Sequence, residues 1–192
     1  MPKPRKVAVI IPYFQREPGI LRRSIDSVLK QQLPDDVTVD VFVIDDSSPY
    51  PAGLEMDGIK SDARFSFFIT VQPNGGPGAA RNNGLKMVEE RGEYSFVAFL
   101  DSDDMWLSGH LKDAVVAIDR GYDFYFCDNR RDGAYDSYHS ELEALANRAA
   151  SVRARADWIA EDEMCLGFPH SALKDEMIET CLCHTSCVVL RA

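Results

Sequence analysis

The densest group of potentially reactive side chains is Asp101-Ser102-Asp103-Asp104, directly after the apolar run of residues 96–100. Carboxylates are the natural ligands of hard cations such as Mg²⁺ and Mn²⁺, and a cation held there can bridge a diphosphate. Where a strand ends, the chain leaves its extended geometry, so the carboxylates of an Asp-x-Asp aim differently. One can reach a metal while the other accepts hydrogen bonds from a ribose. Turn chemistry competes with this, because Asp and Ser favour turns and residues 102–104 could cap a helix beginning near Trp106. Several carboxylates side by side, however, repel one another unless a cation joins them.

Two further clusters follow apolar runs. Residues 37–44 give way to Asp45-Asp46-Ser47-Ser48, and residues 65–71 to Gln72-Pro73-Asn74-Gly75-Gly76-Pro77-Gly78. Asn74, Gly75 and Gly76 suit a loop with positive φ angles that approaches a ligand closely. The stretch from Gly76 to Arg81 mimics the opening of a dinucleotide-binding turn, but Arg81 stands where the third glycine belongs and Pro77 restricts the turn. Arg81 is a cation in an acidic neighbourhood. Its planar fork suits a base or a phosphate, and equally an ion pair with Asp45 or Asp46.

These clusters need a scaffold that brings them together. Residues 7–11, 37–44, 65–71, 96–100 and 124–126 are short, apolar and rich in β-branched and aromatic types, and read as strands buried on both faces. Ile20, Leu21, Ile25, Val28 and Leu29 repeat at helical spacing, as do Leu107, Leu111, Ala114, Val115 and Ile118. Such alternation predicts a mostly parallel, doubly wound sheet whose ligands sit beyond the carboxyl ends of the strands. Residues 135–160 are rich in Ala, Arg and Glu and read as solvent-facing helix, and residues 185–190 as one more strand.

Composition narrows the function. The 192 residues suit one domain, and the net charge of -10 leaves no basic stripe for nucleic acid. The apolar run after the basic first residues is too short for a secretory leader, and no stretch approaches the roughly 20 apolar residues of a membrane span. Five Cys without framework spacing indicate reduced thiols and a cytoplasmic setting. Cys181, Cys183, His184 and Cys187 carry soft ligands, yet lack zinc-type spacing. His110 reads as a helix-surface residue, Trp106 and Trp158 as packing residues, and Asp128 as either a turn residue or part of an acceptor cleft.

Four pieces in order carry a resemblance: residues 7–15 with Pro12-Tyr13, residues 43–48 with Asp45-Asp46, residues 74–84 with Ala80-Arg81-Asn82, and residues 99–104. Together they resemble the family-2 glycosyltransferases of the GT-A fold, an α/β architecture with a Rossmann-like, mostly parallel sheet flanked by helices. The resemblance implies a nucleotide-sugar-binding part in residues 1–130. Residues 131–192 would then be a helical segment and the start of an incomplete acceptor-side part. It implies that Pro12, Tyr13, Phe14 and Arg16 lie against a nucleotide, with Glu17 at the border and the loop of Asn74, Gly75 and Gly76 close by. Asp45 or Asp46 accepts a hydrogen bond from the base, Arg81 sits near base and ribose, and Asp101, beside Ser102, holds the ribose. Asp103 binds Mn²⁺ or Mg²⁺, with Asp101 and Asp104 as further carboxylates.

The activity so implied is inverting transfer of a sugar, from a UDP-sugar in preference to other nucleotide donors, to a saccharide or lipid-linked acceptor. It would occur in the cytoplasm or peripherally at the inner membrane face. The catalytic base of such enzymes lies beyond the strand resembling residues 185–190. It is therefore expected beyond Ala192, in a longer transferase, and no residue of this chain is assigned that role. A nucleotidyltransferase, a non-catalytic sugar-nucleotide module and a dinucleotide-dependent dehydrogenase are the competing readings. Residues 12–19 hold one cation, Arg16, and no glycine run, which disfavours the first of these.

Overall fold

A computed structural model of the chain describes residues 4–130 and 183–192, Gly133, and the backbone of residues 157–158 and 166–167. Strands β1 (Arg5–Tyr13), β2 (Val37–Asp45), β3 (Phe65–Val71), β4 (Phe96–Phe99) and β5 (Phe124–Phe126) alternate with helices α1 (Ile20–Leu29), α2 (Ala52–Glu55), α3 (Gly76–Arg91) and α4 (His110–Asp119). Asp157–Trp158 (β6) and Leu166–Gly167 (β7) pair antiparallel as a separate two-stranded ribbon. A 3₁₀ turn, Thr185–Cys187, leads into β8 (Val188–Arg191).

The main sheet has the order β3-β2-β1-β4-β8-β5. Strands β1 to β4 pair in parallel, and β8 lies antiparallel between β4 and β5. Side chains alternate across β1. Val7, Val9 and Ile11 face one core with Leu21, Ile25 and Val28 of α1 and Leu111, Val115 and Ile118 of α4. Ala8 and Ile10 face the other, with Phe42, Ile44 and the α3 residues Ala80 and Val88. The mostly parallel, helix-flanked sheet expected from the sequence is thus present.

Several local expectations differ. Strand β3 lies at the sheet edge and is not buried on both faces: Val71 is 69% and Ile69 42% exposed. Leu107 precedes α4, not within its stripe, and is 87% exposed. Residues 102–109 turn before the helix starts at His110, so the capping helix near Trp106 is absent. Within the stretch expected to be helical, Asp157–Trp158 form β6, whose pairing with β7 overrides local propensity; residues 134–156 lie outside the described residues. The expected strand at residues 185–190 begins only at Val188, because His184 caps a 3₁₀ turn by accepting from the Ser186 N–H.

Candidate functional site

The carboxyl ends of β1, β2 and β4 meet around a cleft of about 320 Å³. Pro12, Tyr13, Phe14, Asp46, Arg81, Asp101, Ser102 and Asp103, all expected from the sequence, line it. Pro77 and Ala80 line it too; both lie in the stretch that carries the resemblance but are not among the expected contacts, since small apolar side chains carry no chemistry of their own. Arg16 and Glu17 lie with Phe14, Gln15 and Ile20 around a neighbouring depression of about 260 Å³.

Asp45 and Asp46 separate cleanly. The Asp45 carboxylate accepts from the backbone N–H of Ser48 (2.7 Å) and Ala52 (2.9 Å), holding the loop after β2. Asp46 lines the cleft. Its Oδ1 accepts from Gln72 Nε2 (2.7 Å) and Gly75 N (2.9 Å), and its Oδ2 from Gly76 N (2.7 Å). Burial of Asp46 opposes ionisation, yet the Gly75 N–H, the Gln72 amide and the Gly76 N–H outweigh it and hold the carboxyl below its usual range. The start of α3, where a dinucleotide-binding turn would receive a pyrophosphate, is therefore filled by the chain's own carboxylate. Asn74 supports this arrangement through its side-chain amide, which donates to the Asp46 carbonyl at 3.0 Å. Of Gly75 and Gly76, only Gly76 takes a positive φ, 84°.

Arg81, one turn into α3, pairs with Oδ1 of Asp101, and not with Asp45 or Asp46. Its Nε is buried and has no hydrogen-bond partner among the described residues. Ser102 is buried; its hydroxyl accepts from Gln15 Nε2 (3.1 Å) and its carbonyl from Ser24 Oγ (2.7 Å), which ties the acidic run to β1's loop and α1. Asp103 is exposed. Asp104 turns toward the far end of the chain, where its Oδ2 accepts from Ser186 Oγ at 2.6 Å. Among the described residues, one group of ligand-type side chains converges: Asp101, Asp104 and His184, with ligand atoms within 4.8 Å of one another. Sequence reading missed His184 as a partner of the acidic run, because 80 residues separate them.

The remaining candidates take other places. Asp128 is exposed at the end of β5, outside the cleft lining, and its Oδ1 accepts from the Asn129 N–H (2.8 Å) as a turn residue does. Ala192 lies away from the cleft: β8 runs antiparallel to β4, so its last residues reach the amino end of β4, where the Ala192 N–H donates to the Ser95 carbonyl at 3.0 Å. A base beyond Ala192 falls outside the described residues, and neither Ala192 nor Asp128 supplies one to the cleft lining. His110 is buried, not on the helix surface: its ring stacks on Trp106 at 4.5 Å and meets the Tyr125 ring edge at 5.6 Å. Cys187 is buried, Cys183 half-buried, and Cys181 lies outside the described residues. Cys127 and Cys187 share a hydrogen bond that pushes the Cys127 thiol up and the Cys187 thiol down.

Comparison with known proteins identifies the class. The model of "Glycosyl transferase family 2" matches residues 8–179, and the chain belongs to that family. The succinoglycan biosynthesis protein ExoW of Rhizobium meliloti is 39% identical over 187 residues, covering 96% of this chain and 54% of ExoW. A GalNAc(5)-diNAcBac-PP-undecaprenol beta-1,3-glucosyltransferase of Campylobacter jejuni is 32% identical over 122 residues, 63% of this chain and 37% of that one. The chain thus spans about half the length of the first of these relatives, and less of the second. Among solved structures, Staphylococcus aureus TarS 1-349 in complex with UDP-GlcNAc superposes with TM-score 0.58 at 25% identity, over 90% of this chain and 48% of that one. The fold is GT-A, as the ordered motifs imply.

Proposed function

We propose that this chain forms the donor-binding part of a glycosyltransferase that takes a UDP-sugar with Mn²⁺ or Mg²⁺ and passes the sugar, with inversion, to a saccharide or lipid-linked acceptor. The observation that carries this reading is Arg81. Its guanidinium lines a cleft that Asp46 and Asp101 also line, and its buried Nε–H, without a partner among the described residues, would reach an acceptor oxygen of a ligand once the side chain adjusts to it. Phe14, 42% exposed at the cleft wall, offers a ring face to a base. Asp46, whose orientation is fixed by three donors, presents a carboxylate for a base N–H, while Asp45 is occupied in its own loop. Asp101 is set to hold the ribose. UDP-GlcNAc in the related TarS structure supports the choice of uridine.

The carboxylates at the end of β4 fit a hard divalent cation: Asp101, Asp103 and Asp104 supply oxygen donors within one turn of a chain carrying net charge -10. When bound, such an ion stabilises charge on the departing diphosphate. The chain's residues bind and orient the donor; the ordered hydrogen bonds at Asp46 and Ser102 keep the cleft walls in place before the ligand arrives. The thiols of Cys127 and Cys187 support a reducing, cytoplasmic setting, with a peripheral position at the inner membrane face for a lipid-linked acceptor. No helix among the described residues is long and apolar enough to cross a membrane.

A thermal-unfolding panel of UDP, GDP, CTP and NAD, each with and without Mn²⁺, tests this reading. UDP with Mn²⁺ should raise Tm by about 5 to 10 °C at a concentration on the order of a hundred times Kd. The other nucleotides should do less. Stabilisation by NAD without metal would overturn the assignment, and the Asp46 carboxylate at the start of α3 already argues against that ligand.

A further inference from the structure

We infer that His184 is a ligand of a divalent cation at the edge of this cleft, acting with Asp101, which lines the cleft, and Asp104, which lies beside it, and that it makes the site prefer Mn²⁺ over Mg²⁺. The inference rests on the donor-site reading above. Turn propensity explains why Asp101 and Asp104 lie close, since the Asp104 N–H donates to the Asp101 carbonyl at 3.0 Å. It does not explain an imidazole from the turn before β8 lying within 4.8 Å of both carboxylates.

The surroundings of the imidazole favour an ion. His184 Nδ1 lies 3.4 Å from the Ser186 N and 3.4 Å from Asp104 Oδ2, both longer than a well-formed hydrogen bond. An ion held between Nδ1 and Oδ2 would take the single lone pair of Nδ1 in place of the long contact from the Ser186 N–H. The carboxylates are also positioned from outside. Ser186 Oγ donates to Asp104 Oδ2 (2.6 Å) and accepts from the Asp101 N–H (2.9 Å), while the Ser186 carbonyl receives the Trp106 indole N–H. One buried serine thus locks the turn bearing His184 to the acidic run, the kind of support metal ligands receive in preorganised sites. Two carboxylates with one imidazole suit Mn²⁺ better than Mg²⁺ or Ca²⁺, which favour all-oxygen shells.

The test is Mn²⁺ binding to the whole chain, followed by electron paramagnetic resonance without nucleotide and by calorimetry with UDP. Spin-echo modulation from a directly bound nitrogen should appear in the wild type. His184→Asn keeps an acceptor for the Ser186 N–H and so preserves the turn. In that variant the nitrogen signal should vanish, Mn²⁺ affinity should fall at least about tenfold, and the preference for Mn²⁺ over Mg²⁺ should shrink. Metal-free UDP affinity and Tm should stay as in the wild type. Unchanged Mn²⁺ affinity and selectivity in His184→Asn, with Mn²⁺-dependent UDP binding intact, overturns the role of His184 and leaves the donor-site reading standing. A wild type whose UDP affinity ignores Mn²⁺ overturns the metal-dependent reading itself.

Discussion

Arg81 holds Asp101 with one arm and leaves its Nε–H unclaimed among the described residues, so its value lies in the fork and not only in the charge. Arg81→Lys should therefore retain an ion pair with Asp101 yet lose roughly tenfold in UDP affinity, the scale of one hydrogen bond made by a charged donor. Equal affinity by calorimetry would mean the guanidinium is purely structural. His110 gives a second, independent expectation. Burial between Trp106 and Tyr125 lowers its pKa to about 4 from 6.5, so the folded chain keeps it neutral while the unfolded chain takes up a proton. Stability from this group is complete above pH 6.5 and is lost as the pH falls toward 4. About 2 kcal/mol should disappear between pH 7 and 5, and His110→Phe, which keeps the ring stack, should remove that slope in urea unfolding. An unaltered slope in the variant would place the acid sensitivity elsewhere.

At the scale of elements, α3 approaches β1 more closely than ordinary side chains allow. A Cβ on Gly84 would lie 2.5 Å from Ile10 Cγ2, and Ile10 is fully buried in the sheet centre. Gly84→Ala should destabilise by about 1 to 3 kcal/mol through overpacking. In an Ile10→Ala background the same change should be markedly milder, which a double-mutant cycle of unfolding free energies measures; strict additivity would show that the clash relaxes elsewhere. What could be read in advance follows the same physics. Strands β1, β2 and β4 lie inside the sheet, and their continuous apolar runs announce it. Strand β3 has an equally apolar run, but its place at the edge depends on pairing order, which no local pattern encodes. Leu107 fits a helical stripe by spacing alone, although the turn after Asp101 delays the helix to His110.

For the whole molecule, the cleft was legible because three strand ends carry polar clusters and parallel pairing brings strand ends to one edge. Asp46, Arg81, Asp101 and Asp103 duly line it. The roles within each pair were not legible: Asp45 and Asp46 are identical in type, and only the loop geometry turns one inward to Ser48 and Ala52 and the other to α3. His184 was hidden for a different reason, since it arrives through β8, an antiparallel strand inserted between β4 and β5 from far along the sequence.

That insertion has a consequence for the order of assembly. During synthesis the edge of β4 stays unpaired until residues 188–191 emerge, although β1, β2 and β3 can already have joined on its other side. Contacts of such sequence separation form slowly. The nascent chain thus passes through a stage with the residues of the cleft already made, an open strand edge beside them, and His184 not yet brought against Asp104.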